Sequence, residues 1–139
     1  MVFRVLVAMD GSEMGERTLR YALETHPDAE ITVLHVVGEP SSMWGKATSL
    51  ALEDDIEQAA EELAEDVLTT AREIADEYGT EIETDVRIGN PARAIIGRAE
   101  EYDTVVIGTH GGSVAERLVV GDVARKVFRH SPVPVTTVR

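Results

Sequence analysis

Thr104-Val105-Val106-Ile107-Gly108-Thr109-His110-Gly111 begins as an apolar run and ends in small residues; two residues separate Gly108 from Gly111, and nine separate Gly111 from Gly121. Glycines let a backbone leave a strand sharply and come close to an anion, while a helix starting near Gly121 aims unpaired N–H groups at the same point. The spacing therefore suggests a phosphate cradle at a strand end. Asp122, directly after the last glycine, places a negative charge where that cradle should close.

Working outward, short Val/Ile/Leu-rich runs alternate with longer amphipathic stretches, which predicts an open parallel sheet with helices on both faces. Five strands are expected: Phe3 to Met9, Glu30 to Val37, Glu81 to Ile88, Thr104 to Gly108 and Val133 to Val138. Four helices separate them. The first takes Ser12 as N-cap, with Glu13 and Glu16 in its opening turn, buries Leu19, Ala22 and Leu23, and stops before Pro27. The second spans about Glu53 to Tyr78, with Ile56, Ala60, Leu63, Val67, Ala71 and Ile74 as its inward stripe and Gly79 as its stop. The third opens with Asn90 as cap and Pro91 at its first position and turns Ala94, Ile95 and Ala99 inward, and the fourth starts at Gly121. If the strand order is 3-2-1-4-5, Asp10 and Gly108 meet at carboxyl ends where the winding reverses, the usual ligand crevice of such sheets.

The chain of 139 residues is read as one domain, 1–139, with no internal repeat. It has no cysteine, so disulfides, thiol nucleophiles and cysteine-ligated metals are excluded. Its start is too short for a signal peptide's apolar region and no run spans a bilayer, so a cytoplasmic location is expected. A net charge of −13 argues against nucleic acid and anionic membranes as partners. With lysine only at 46 and 126, the charge balance fits a surface suited to high salt, the alternative being an ordinary acidic protein. Met43 and Trp44, in the loose segment before the second helix, are either a lid or apolar side chains tucked against the body.

The whole chain resembles the universal stress proteins of the single-domain, nucleotide-binding kind. The resemblance rests on Val5-Leu6-Val7-Ala8-Met9-Asp10-Gly11-Ser12, Leu34-His35-Val36, Gly89-Asn90-Pro91, the glycine array, and Pro132-Val133-Pro134-Val135 after an amphipathic helix. It implies an adenine nucleotide alpha-hydrolase-like fold that binds ATP; Mg²⁺ enters only as one of the outcomes that Asp122 leaves open, bridging its carboxylate to phosphate. By the same resemblance Ala8 and Met9 line the base pocket, Asp10 faces base or ribose, and Val36 offers main-chain groups to adenine. Gly108, His110 and Gly111 then wrap the phosphates and Gly121 continues the wrap, with Thr109, Asp122 and Val123 included in the nucleotide-binding set. The family pattern asks for Ser or Thr at position 122. Asp122 leaves three outcomes: it caps its own helix, a divalent cation bridges it to phosphate, or the triphosphate is lost.

Neither a positioned nucleophile nor a general base is evident, because Ser12 is better explained as a helix cap, so a binding or signalling module is expected rather than an enzyme. Ser113 is read as a loop residue that can substitute a hydroxyl, and His35 as a packed strand residue. The resemblance also implies a homodimer through the last strand, where Val133, Val135 and Val138 are read as an apolar edge and Pro132 and Pro134 as missing donors along it. A dimeric scaffold that has abandoned its nucleotide is the competing reading.

Overall fold

The computed structural model describes residues 2–38, 53–110 and 121–139. Five parallel strands form one sheet in the order β3-β2-β1-β4-β5: β1 (Arg4–Ala8), β2 (Glu30–Val37), β3 (Glu83–Ile88), β4 (Thr104–Gly108) and β5 (Val135–Val138). Between them run α1 (Glu13–Thr25), α2 (Glu53–Glu77), α3 (Pro91–Ala99) and α4 (Asp122–His130). The alternation of strands and helices is as expected, and the order 3-2-1-4-5 on which the crevice depended is the order observed. β3 and β5 start two residues later than expected, and β1 is trimmed by one residue at each end.

Because side chains alternate along a strand, β1 feeds two cores. Val5 and Val7 pack with Leu19 and Leu23 of α1 and Ala64 and Leu68 of α2. Leu6 turns to the opposite face, where Ile95 of α3 and Val127 of α4 cover Val105 and Ile107. Burying such side chains is worth about 1.5–3 kcal/mol each, so both helical layers are held to the sheet by the centre of β1 and β4.

Two local readings follow the sequence closely. Ser12 caps α1, its Oγ accepting the Gly15 N–H at 3.1 Å, and Asn90 caps α3, its Oδ1 accepting the Arg93 N–H at 3.0 Å with Pro91 at the first position. Others are corrected. On α2 the buried positions include Ala60, Ala64, Leu68, Ala71 and Ala75, while Leu63 is 53% exposed. The helix presents its alanines to the sheet, and that rotation turns Leu63 outward. On α3 the buried residues are Ala92, Ile95 and Ala99, with Ala94 only half-buried. The side chain of Ile56, together with Met43, Trp44, Gly111 and Ser113, lies outside the described residues.

The outer strand β5 also departs from expectation. Val133 and Val135 pack against the α3/α4 core and Val138 against the α1/α2 core, so these valines belong to two faces rather than one apolar edge. The Val105 N–H donates to the Pro134 carbonyl at 3.0 Å, and the Thr109 N–H to the Val138 carbonyl at 2.9 Å. Even-numbered residues of β5 therefore face β4, and the N–H that Pro134 lacks would have pointed inward. The main-chain groups on the free edge are those of Val135 and Thr137.

Candidate functional site

The chain leaves β1 to build one side of the sheet and returns at β4 to build the other, so the crevice at their carboxyl ends is the topological switch point. A cavity of about 380 Å³ lies there. Ala8, Met9 and Asp10 enter it from the end of β1, Val36 from β2, and Gly108, Thr109 and His110 from the end of β4. Gly121, Asp122 and Val123 line it from the start of α4. Every described residue of the expected binding set is thus brought together; Gly111 lies outside the described residues.

The cavity has an apolar end and a polar end. Leu34, Ile95 and Ile107, all buried, form one wall with Val36 and Pro91. Sequence reading assigned Leu34 and Ile107 to strands and Ile95 to the core without foreseeing that they also face a cavity. Their shared face of the sheet, set by the alternation that puts Leu34 and Val36 together, is the signal that identifies them. The Met9 N–H donates to the Leu34 carbonyl at 3.0 Å, so even-numbered β2 residues face β1. The N–H and C=O of Val36, one step further, therefore point past the end of β1. The Met9 carbonyl accepts from His35 Nδ1 at 2.7 Å, which gives the half-buried His35 a local structural role.

Asp10 is fixed by its own turn. Its Oδ1 accepts the Ser12 N–H at 3.0 Å and the Ser12 hydroxyl at 2.5 Å, while Gly11 between them has φ +86°. Ser12 is engaged both in this turn and in capping α1, the role its position suggested. Across the cavity, Gly108 lines the site and also lies against α1. A Cβ there would stand 2.7 Å from Met14 Cγ and 3.1 Å from Thr18 Oγ1, so β4 ends where α1 crosses it closely.

The start of α4 corrects two expectations. The Gly121 N–H donates to the Thr109 carbonyl at 2.6 Å and is not free for an anion. Asp122 does not cap the helix: Gly121 is the N-cap, without a side-chain hydrogen bond, and the Asp122 side chain is 84% exposed at the cavity mouth. The amides of Asp122, Val123 and Ala124 have no acceptor within the helix, as in any first turn, and Gly121 has no side chain to offer them. Their dipoles favour an anion. His110 adds a ring whose Nδ1 lies 3.1 Å from Thr109 Oγ1. Among the described residues, no lysine or arginine lines the cavity and no cluster of three metal-ligating side chains occurs. Nor is any helix long and apolar enough to cross a membrane.

The model of the universal stress protein family matches residues 1–139. A universal stress protein of Bacillus subtilis (strain 168) is 32% identical over 148 residues, spanning 100% of both chains. Among solved structures, a universal stress protein from Lactobacillus plantarum superposes with a TM-score of 0.81 at 23% identity, covering 99% of this chain and 98% of that one. One from Archaeoglobus fulgidus, solved in complex with dAMP, superposes with a TM-score of 0.68 at 24% identity over 100% of both.

Proposed function

The chain belongs to the universal stress protein family, and on that premise we propose that it is a cytoplasmic module that binds an adenine nucleotide in the cavity at the sheet's switch point. The observation that carries this reading is the convergence of three strand ends and one uncapped helix start on a single cavity, apolar at one end and rich in N–H donors at the other. The base lies against Ala8, Val36, Leu34 and Ile95, where the outward-facing main chain of Val36 can meet its polar edge. The phosphates lie toward Gly108, His110 and the first amides of α4. The dAMP complex of the Archaeoglobus fulgidus neighbour supports the choice of an adenine nucleotide.

ATP with Mg²⁺ is the finer form of the proposal. The described residues offer the ion one carboxylate at the mouth, Asp122, rather than a preformed cage. That fits Mg²⁺, which ordinarily takes one or two carboxylates and completes its shell with substrate phosphates and water. When bound, the ion would neutralise phosphate charge beside Asp122. The chain acts as a binding and signalling module for stress response rather than as an enzyme. It works as a homodimer through the free edge of β5, where the outward main-chain groups of Val135 and Thr137 can pair with a second copy.

Denaturing the purified protein and resolving the released small molecules tests the nucleotide reading: an adenine nucleotide near stoichiometric amounts is expected. The exposed carboxylate of Asp122 favours the second reading, a dimeric scaffold without nucleotide. A clean protein that also fails to take up added adenine nucleotide, with or without Mg²⁺, would establish that reading instead.

A further inference from the structure

The charged groups that line the cavity are unusual for a site that accepts several phosphates. Asp10 and Asp122 are both carboxylates, and among the described residues neither lysine nor arginine joins them. Among the described residues, attraction for an anion comes from amide dipoles at the start of α4 and, when protonated, from His110. A helix start carries about half an elementary charge, enough to favour one phosphate but not to neutralise three.

The two carboxylates are not equivalent. Asp10 Oδ1 is held in the turn with Ser12, close under α1. Asp122 stands at the mouth with its side chain 84% exposed, and Arg125, one turn along α4, is 3.9 Å away. An ion pair that long and that exposed neutralises the carboxylate only weakly. On the proposed placement of the base in the apolar end, a single phosphate meets the α4 amides, and a longer phosphate chain brings more negative charge near the carboxylate at the mouth.

We infer that Asp122 makes this site discriminate among adenine nucleotides by phosphate charge, favouring a single phosphate over a triphosphate when no divalent cation is present. The inference rests on the nucleotide reading of the cavity and adds to it the class of ligand and the residue that selects it. A carboxylate about 4 Å from a phosphate oxygen weakens binding by about fivefold in bulk water and by far more in a less polar setting.

Calorimetric titration of the full chain with AMP and with ATP, in chelator and then in excess Mg²⁺, tests it. In chelator the wild type is expected to bind AMP at least fivefold more tightly than ATP. Asp122→Asn, which keeps the shape and removes the charge, should raise ATP affinity at least fivefold and move AMP affinity less than threefold. Mg²⁺ should narrow the gap in the wild type and do so less in the variant. Equal affinities for AMP and ATP in metal-free wild type, or an equal change for both ligands in Asp122→Asn, overturns the selectivity while leaving the nucleotide site standing. Failure of AMP to bind either protein overturns the nucleotide site itself and the selectivity with it. Asp122 is exposed, so the variant should fold; a melting temperature within a few degrees of wild type verifies that.

Discussion

Gly108 at the end of β4 lies directly beneath Met14 of α1, so close that a methyl group on its Cα would stand 2.7 Å from Met14 Cγ. A glycine that sequence reading places beside a ligand is therefore also the contact that seats the first helix on the sheet. Gly108→Ala should destabilise the fold by about 1–3 kcal/mol through overpacking, measured by urea unfolding. Adding Met14→Ala should recover part of the loss; a single variant as stable as wild type would contradict the close approach.

The rotation of α2 separates two leucines five residues apart. Leu68 is buried and Leu63 is 53% exposed. Leu68→Ala should cost about 2–5 kcal/mol, whereas Leu63→Ala should stay within about 0.5 kcal/mol of wild type. Thermal and urea denaturation of the pair read out the helix's orientation directly.

Asp103 ties the beginning of β1 to the turn before β4, its Oδ2 accepting the Phe3 and Arg4 N–H groups at 2.9 Å each. The Arg4 N–H, followed by that of Phe3, holds the carboxyl below the usual aspartate range. A group lowered in this way stabilises the folded state above its unfolded pKa of about 3.9, and the contribution disappears as the pH falls through the lower folded value. Asp103→Ala should therefore be less stable than wild type at pH 7, and the difference should shrink in melts taken progressively below pH 4.

Thr137→Pro removes an N–H that faces away from β4. The hydrogen bonds of β4 to Pro134 and Val138 remain in place. The variant should keep its melting temperature to within a few degrees at low concentration; on the proposed β5-edge dimer, the wild type is expected to sediment as a dimer and the variant as a monomer. Dimers of undiminished affinity would place the interface elsewhere.

The excess of 26 acidic over 13 basic residues makes self-repulsion a standing cost that salt screens. Melting temperature should rise from 0.1 M to molar KCl. A flat or falling series would show that the surface is not adapted to salt.

What was legible in the sequence was local. Ser12, Asn90 and Pro91 announce helix starts because capping needs only neighbours along the chain, and the alternation of runs is enough to give the parallel α/β class. What was hidden depends on contacts far apart. Met14 and Gly108 meet only after folding, so composition around Gly108 could suggest a ligand but not a helix overhead. The direction of the missing Pro134 N–H depends on the register of β5 against β4, which no single strand carries. Leu63 and Ala64 are adjacent residues suited to a core, and only the close approach of α2 to the sheet decides that the smaller one goes inside. At the site, positions were recoverable from the motif, whereas the use of the Gly121 N–H by Thr109 was not.

That last bond has an architectural consequence. With Thr109 and Gly121 joined at 2.6 Å, the end of β4 and the start of α4 are tied together beside the cavity. The cost of closing a longer span grows only with the logarithm of its length, so insertions between these two residues should leave the stability of the fold little changed.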